Sequence, residues 1–188
     1  EMSDADWVSL KVDAMDEALW RKVDRPHKSL DFEKVAAGML DFAGSYKGQL
    51  NTETMLIHGY NDSEAVLRKN SSFISRLDPE IAYIAIPTRP PADSKVLPAD
   101  ERQFQLAWKI YAEKIKDVEM LIGYEGNAFA STGDFEQDIL SITAVHPMRE
   151  DAVMELLKKT GTDKSLLDRL VREDKLVVNS FSGERFYL

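Results

Sequence analysis

The sequence lacks cysteine, long apolar runs and any excess of positive charge. Without cysteine, the chain itself forms neither disulfides nor thiolate metal sites. No apolar run approaches the roughly 18–20 residues that cross a membrane. The formal net charge of −9 argues against the clustered positive face that nucleic acids and anionic membranes need. With 44% hydrophobic residues the 188-residue chain can still bury a core. These absences leave an ordinary globular protein as the class that fits the composition. A cytoplasmic location is the default expectation.

Strand and helix periods alternate along the first two-thirds of the chain. Apolar–polar alternation and short apolar runs predict strands over 6–13, 49–58, 81–86 and 118–124. Helical spacing predicts helices between them, over 31–43, 63–77 and 99–117. Strands joined by helix-length connections pair in parallel, with right-handed crossovers. We therefore expect an α/β fold, a partial (β/α) barrel of about four parallel strands, with ligands at the C-terminal ends of the strands. Those ends include Lys11, His58, Arg89, Tyr124 and Glu125.

The pattern changes near Asn127, where small polar residues over 127–136 predict a linker. The run 139–145 fits either a short helix or a strand. Beyond it we predict helices over 149–160 and 163–174, then a hairpin over 176–188 with a Ser182-Gly183 turn. Two helices followed by a terminal hairpin are typical of a small winged-helix domain. The expected domains are therefore 1–130 and 131–188.

The charge of the predicted winged-helix domain argues against duplex DNA as its partner. Residues 131–188 include eight basic and eleven acidic side chains, a net charge of −3. The helix over 163–174 mixes Lys164 and Arg169 with Asp163 and Asp168. A helix that follows DNA phosphates would be basic along one side. Protein contact, RNA contact through a small patch, and packing against the barrel all stay open.

Three phrases, in order, resemble the radical S-adenosylmethionine (radical SAM) enzymes. Residues 9–27 (SLKVDAMDEALWRKVDRPH) resemble the fourth strand of that family and the loop after it. Residues 55–62 (MLIHGYND) are similar to its fifth strand and turn, and residues 84–92 (IAIPTRPPA) to its sixth strand and loop. The resemblance covers about residues 6–125, extends to a winged-helix tail, and is nearest to the wyosine-type and glycyl-radical-activating group.

The resemblance implies S-adenosylmethionine, a 4Fe–4S cluster, and reductive cleavage to methionine and a 5′-deoxyadenosyl radical that attacks an unknown substrate. The cluster loop of the family, with three cysteines, is absent here, as are its first three strands and its glycine-rich segment. The cluster needs thiolate ligands. We therefore expect a C-terminal fragment, inactive alone, with no catalytic residue, metal or cofactor of its own. The alternative is a non-catalytic α/β and winged-helix binding module.

The resemblance also assigns cofactor-facing roles to the first two strands. Lys11 would hold the methionine carboxylate of S-adenosylmethionine, and Ser9 would bond a ribose or carboxylate. Glu53 occupies the fifth-strand position where relatives place a polar residue toward the cofactor. An ionised carboxylate there is costly unless it is paired, and Lys11 or a ribose diol would serve. Asp13 shares the strand face of Lys11. Each residue also has a structural interpretation: Lys11 on a half-exposed strand face, Glu53 simply exposed, and Asp13 as a turn cap.

Further candidates lie in the loops that follow the strands. By resemblance, Thr88 and Arg89 would contact adenine or substrate, although Arg89 also fits a solvated charge. We expect Asn61 or Asp62 to cap the helix over 63–77. The three histidines are far apart in sequence and lack metal-ligand spacing.

A truncated barrel would also leave strand edges open. Unpaired edge strands present free N–H and C=O groups and invite pairing with another chain. We therefore expect a homo-oligomer through these edges, and a dimer with paired first strands would suit either functional interpretation.

Overall fold

The structure is a computed structural model that describes residues 2–91, 93, 95–121, 131–181 and 183–188. The chain divides into two compact units. The first is Glu1–Pro87 with Lys95–Ile122, and the second is Thr88–Ser94 with Gly123–Leu188. The predicted boundary at 130/131 adjoins residues 122–130, which lie outside the described residues, so it stays a prediction. None of the described helices has the length and apolar character needed to cross a membrane.

The first unit alternates strands and helices. Its strands are β1 (Trp7–Lys11), β2 (Gln49–Met55), β3 (Ile81–Ala85) and β4 (Val118–Leu121). Its helices are α1 (Glu17–Val23), α2 (Phe32–Ser45), α3 (Glu64–Leu77) and α4 (Glu101–Ala112), after a short 3₁₀ helix at Met2–Asp4. The strands pair in parallel in the order β1-β2-β3-β4. The predicted α/β class and its four parallel strands are confirmed, whereas α1 was not predicted.

One face of this sheet is covered by α3 and α4. The buried cluster there combines strand and helix residues: Val8, Leu10, Leu50, Ala82, Ile84, Leu67, Phe73, Ile74, Phe104 and Ala107. Burying one valine, leucine, isoleucine or phenylalanine side chain of this cluster stabilises the fold by about 1.5–3 kcal/mol. Since side chains alternate along a strand, Ser9, Lys11 and Glu53 lie on the opposite face. The polar candidates therefore share a face that the helical core does not occupy.

Asp31 caps α2, and the helix continues past its predicted end at residue 43. The Asp31 side chain accepts a hydrogen bond from the Lys34 N–H at 2.9 Å. Gly44 lies inside α2, which continues to Ser45. Glycine costs a helix only about 1 kcal/mol relative to alanine, and the stacked rings of Phe42 and Tyr46, 4.8 Å apart, hold the last turn.

Trp108 of α4 lies largely outside the core. The side chain is 43% exposed, and its Nε1 donates to the Val118 carbonyl at 3.1 Å. The Asp117 carbonyl accepts from Ala82 of β3, so the next carbonyl, that of Val118, faces away from β3. The indole therefore covers part of the outer edge of β4, a common protection for edge strands.

Among its described residues, the second unit contains three helices and a small antiparallel sheet. Its elements are α5 (Phe135–Thr143), β5 (Met148–Arg149), α6 (Glu150–Thr160), α7 (Lys164–Arg172), β6 (Val178–Phe181) and β7 (Glu184–Tyr187), with strand order β5-β7-β6. The open choice over 139–145 resolves as helix α5. The two later helices and the hairpin are as predicted, although Ser182 of the turn lies outside the described residues. The winged-helix interpretation stays a prediction.

The start of α5 is held by a buried carboxylate. Asp138 accepts from the Ser131 hydroxyl at 2.8 Å, the Thr132 N–H at 2.9 Å and the Thr132 hydroxyl at 2.7 Å. Burial alone would raise the pKa of Asp138, but these hydrogen bonds lower it below its usual value. Ser131 and Thr132, in the predicted linker, are therefore hydrogen-bonded to α5. Residues 127–130 of that linker lie outside the described residues.

Candidate functional site

Lys11 and Glu53 form an ion pair across the first two strands. They are register partners on β1 and β2, and the Lys11 Nζ lies 2.7 Å from the Glu53 Oε1. Their side chains are 46% and 31% exposed, so solvent and solutes reach both. Burial alone would lower the pKa of Lys11, but the charges of Asp13 and Glu53 raise it. Lys11 is therefore a stable cation at the end of β1.

Asp13 is buried beside that pair rather than capping a turn. It is only 5% exposed, and its Oδ1 accepts from the Met55 N–H at 2.7 Å. The same oxygen lies 3.6 Å from the Lys11 Nζ. Burial raises the pKa of Asp13, while Lys11 and the Met55 N–H oppose the rise. The carboxyl group thus joins the ends of β1 and β2 and adds a negative group next to Lys11.

Two buried asparagines fix the backbone around Asp13. The Asn61 Nδ2 donates to the Asp13 carbonyl at 2.9 Å and to the Met55 carbonyl at 2.8 Å, and its Oδ1 accepts from the Ile57 N–H at 2.8 Å. The Asn70 Nδ2, from α3, donates to the same Asp13 carbonyl at 3.0 Å. The candidate site is therefore held by side chains that satisfy backbone groups at the strand ends.

The predicted helix-capping role of Asn61 and Asp62 is wrong. Ser63 is the N-terminal cap of α3 and makes no side-chain capping bond. Asp62 instead accepts from the Gly59 N–H at 3.0 Å, and its Oδ2 lies 3.3 Å from the His58 Nδ1. Both residues turn their side chains back into the loop after β2, where backbone donors needed partners.

Helix α1 contributes two contacts that the sequence did not indicate. The Lys22 ammonium lies 4.1 Å from the centre of the Tyr60 ring, a cation–π contact between α1 and the turn after β2. Asp24, directly after α1, lies close enough to Asp13 for the two carboxylate charges to interact. Partial burial, and then the neighbouring Asp13 charge, raise the pKa of Asp24 to about 7.

A small apolar cleft adjoins the charged cluster. Trp20, Phe32, Val35 and Met39 line it together with Lys11 and parts of the segment 12–15. The Trp20 and Phe32 rings lie 5.4 Å apart and join α1 to the start of α2. Apolar and charged groups thus meet at the C-terminal ends of β1 and β2.

The other predicted site residues are placed differently. Ser9 is half-buried on the face of Lys11, in register with Asn51 of β2. Thr88 and Arg89 are half-buried and belong to the second unit, so the cluster described here, within the first unit, does not include them. Tyr124 and Glu125 lie outside the described residues. Within the described ranges, no three His, Cys, Asp or Glu side chains gather as a metal site.

The chain is similar in sequence to longer proteins, and no family model matches it. A UPF0026 protein of Methanocaldococcus jannaschii is 37% identical over 185 residues, covering 97% of this chain and 58% of that protein. A protein named GTPase Obg of Brachyspira hyodysenteriae is 25% identical over 192 residues, 97% of this chain and 27% of its own length. A UPF0026 protein of Helicobacter pylori is 35% identical over 77 residues, 41% of this chain and 25% of that protein. The chain thus spans little more than half of even the M. jannaschii relative.

Among solved structures, the chain is similar to a domain of pyruvate-formate lyase-activating enzyme from Bacteroides vulgatus. The TM-score is 0.51 at 16% sequence identity, over 64% of this chain and 70% of that domain. At this identity the similarity shows a shared fold. This chain therefore shares its fold with a solved activating-enzyme domain, which agrees with the fold that the radical SAM resemblance implies. The wyosine-type assignment stays a prediction.

Proposed function

We propose that this chain is the C-terminal part of a radical SAM iron–sulfur enzyme and supplies one wall of its cofactor site. The observation that carries the proposal is the Lys11–Glu53 ion pair. It lies at the C-terminal end of parallel strands, where ligands of such sheets bind, in a fold shared with an activating-enzyme domain.

The residues of the first unit fit S-adenosylmethionine. The Lys11 ammonium can donate to the methionine carboxylate, and Glu53 can accept from the amine or from ribose hydroxyls. Ser9 lies on the same face with a hydroxyl that both donates and accepts. The adjoining apolar cleft at Trp20 and Phe32 can cover uncharged parts of the ligand and exclude water from them. When bound, the cofactor would supply the adenosyl group that becomes the radical.

This chain does not fit the iron–sulfur cluster itself. It contains no cysteine, and the cluster is held by thiolates. The ligands would have to come from another part of the complete protein. Thr88 and Arg89 keep their proposed role toward adenine or substrate in the complete protein, and the substrate stays unknown.

The first test is the parent gene. We expect a Cys-x3-Cys-x2-Cys motif upstream of residue 1, and we expect the longer protein, reconstituted anaerobically with iron and sulfide, to convert S-adenosylmethionine to 5′-deoxyadenosine. Because the cluster ligands lie outside this chain, residues 1–188 treated identically should release none. A parent protein without the cysteine motif would contradict the proposal and leave a cluster-free binding protein.

The outer edge of β1 is where a complete barrel would continue. Among the described residues β1 pairs only with β2, and Trp7 on this strand is 51% exposed. At the other edge, Trp108 already covers the Val118 carbonyl of β4. In the isolated chain the β1 edge can instead pair with a second copy, which is the proposed route to a homo-oligomer.

For the second unit we propose a binding role. Under the enzyme proposal it would accompany the catalytic part; under the alternative function it would belong to a binding module that has no catalytic activity. Its element order, with a three-stranded sheet of order β5-β7-β6 after α5, supports the winged-helix interpretation. Within it, the Arg169 guanidinium lies 2.7 Å from Glu136, and the Lys175 ammonium lies 3.3 Å from Glu136 and 3.0 Å from Glu173. These cations already face carboxylates, which argues for protein contact over duplex DNA.

We therefore expect no measurable affinity of the chain for duplex DNA. At about 0.15 M salt a 20-base-pair duplex should bind more weakly than about 100 µM, the weak end of non-specific binding. Fluorescence anisotropy of a labelled duplex measures this. The matched variant Glu136→Gln leaves Arg169 and Lys175 less neutralised and should bind more tightly at low salt. Micromolar binding by the unmodified chain would overturn the inference.

A further inference from the structure

Asp13 gives the apolar cleft beside α1 a negative charge that Lys11 offsets only in part. Asp13 and Lys11 both line the cleft, together with the rings of Trp20 and Phe32. The Lys11 ammonium lies 2.7 Å from Glu53 but 3.6 Å from Asp13, so Glu53 is its closer partner. Asp13 is almost fully buried, and a buried carboxylate is costly unless a positive charge stands near it. A cation of a ligand in this cleft would therefore be stabilised.

The aromatic wall of the cleft selects one kind of cation. The rings of Trp20 and Phe32 are half-buried, with their centres 5.4 Å apart. Metal ions and ammonium groups need oxygen ligands or hydrogen-bond acceptors, which an aromatic wall lacks. Onium groups, in which alkyl groups surround a positive nitrogen or sulfur, bind against aromatic rings instead. The cleft volume of about 20 Å³ holds little more than one water- or methyl-sized group, so a single methyl group fits it.

Arg21 also lies beside the Trp20 ring, and its charge is already paired. Its guanidinium is 5.5 Å from the ring centre, 2.8 Å from the Glu17 carboxylate and 3.2 Å from the Leu30 carbonyl. The Trp20 ring thus accommodates a cation–π contact, while Glu17 offsets the charge of Arg21.

We propose that the cleft binds the sulfonium group of S-adenosylmethionine, with Asp13 as its counter-charge and the rings of Trp20 and Phe32 against its methyl group. This inference rests on the function proposed above and deepens it. The fixed charges match those of the ligand in number and sign: Lys11 faces the ligand carboxylate, Glu53 its ammonium group and Asp13 its sulfonium. Two methylene groups join the sulfur to the α-carbon, so a ligand bound to Lys11 by its carboxylate carries the sulfonium into the neighbourhood of Asp13, 3.6 Å from the same ammonium.

Selectivity for the charged ligand follows from this arrangement. S-Adenosylhomocysteine has the same amino acid and nucleoside parts but lacks the methyl group and the positive charge at sulfur. Its neutral thioether would leave Asp13 without a ligand cation and the methyl place in the cleft unfilled. We therefore expect the complete protein to bind S-adenosylmethionine about 10-fold more tightly than S-adenosylhomocysteine.

The experiment is equilibrium binding of both ligands to the complete, anaerobically reconstituted protein without reductant, so that no cleavage occurs. Asp13→Asn keeps an oxygen for the Met55 N–H, which Asp13 accepts at 2.7 Å, so the strand ends should stay joined. This variant should bind S-adenosylmethionine about 10-fold more weakly and S-adenosylhomocysteine nearly as before. Trp20→Leu keeps the cleft apolar without its aromatic face and should reduce the ratio in the same direction. The control Asp41→Asn removes an exposed carboxylate of α2 and should change neither affinity.

A titration of residues 1–188 with trimethylsulfonium chloride tests the onium site without the enzyme. In NMR spectra the indole N–H resonance of Trp20, assigned through Trp20→Leu, should shift in a saturable way. The neutral tert-butanol, of similar size, should shift it less at the same concentration. Asp13→Asn should remove the difference between the two probes, because the neutral amide attracts neither.

The outcomes separate this inference from the proposed function. Equal affinities of the unmodified protein for the two ligands, or the same ratio in Asp13→Asn and Asp41→Asn, would overturn the sulfonium site and leave the proposed function standing. A complete protein that binds neither ligand would overturn the proposed function together with the sulfonium assignment. Equal shifts by trimethylsulfonium and tert-butanol would overturn the onium site whatever the complete protein does.

Discussion

Replacing Asn61 with alanine should lower the free energy of unfolding of the first unit by about 4 kcal/mol. Asn61 is fully buried and satisfies three backbone groups: the Ile57 N–H and the carbonyls of Asp13 and Met55. A buried polar group left without a partner costs about 1–3 kcal/mol. The Asp13 carbonyl keeps its bond from Asn70, so its loss is partial. The sum exceeds what most single substitutions cost.

The measurement is urea unfolding followed by tryptophan emission. All three tryptophans, at positions 7, 20 and 108, lie in the first unit, so the signal reports that unit alone. The control Asn179→Ala removes an exposed asparagine from the second unit and should leave this transition within about 0.5 kcal/mol. A loss below about 1 kcal/mol for Asn61→Ala would mean that water replaces its hydrogen bonds.

Elements that pack an apolar face against the core could be predicted from the sequence, and the one helix that does not could not. The four strands of the first unit and α2, α3 and α4 emerged from their apolar periods. Helix α1 did not, because none of its residues packs against the core, whereas Ala36, Met39 and Leu40 of α2 do. What stabilises α1 is local: Asp16 accepts from the Leu19 N–H at 3.2 Å, and Arg21 bonds Glu17 one turn earlier at 2.8 Å.

The same limit applies to single side chains. Trp108 fits the apolar stripe of α4, but its indole N–H needs an acceptor and finds one at the exposed edge of β4. Asn61 has the sequence position of a helix cap, yet it turns back to the strand ends. In both cases the side chain follows a hydrogen bond to a backbone group, and which backbone groups need a partner depends on how the strands pair.

The candidate site was predictable where it depended on strand register. Lys11 and Glu53 occupy the ends of adjacent parallel strands, so their pairing follows from the order of the sheet. Asp24 was missed because it reaches Asp13 only through α1, the helix that the sequence did not indicate. Asn70 was missed because a polar residue among the apolar positions of α3 looks in the sequence like an interruption of the apolar face. Asn70 comes to the site only through the packing of α3 on the sheet, and it donates to the Asp13 carbonyl.

Replacing Lys11 with methionine in the complete enzyme should weaken binding of S-adenosylmethionine by about 10- to 100-fold. Under the proposed function Lys11 donates a charge-assisted hydrogen bond to the ligand carboxylate, and such bonds contribute about 1.5–3 kcal/mol. Methionine keeps an unbranched side chain that ends one atom earlier, and it lacks the charge and the donors of the ammonium group. Equilibrium binding of the cofactor to the reconstituted protein gives the ratio directly.

A purely structural Lys11 makes a different prediction, so the variant separates the two interpretations. As a partly exposed ion pair with Glu53, it would contribute at most about 1 kcal/mol to stability, and Glu53→Gln would cost about the same. The control Lys69→Met removes an exposed lysine that lies 3.6 Å from Asp16. It should match Lys11→Met in stability and leave cofactor affinity unchanged. Equal affinities in the two lysine variants would mean that the cation at the end of β1 serves Asp13 and Glu53 alone, and the proposed wall of the cofactor site would lose its central contact.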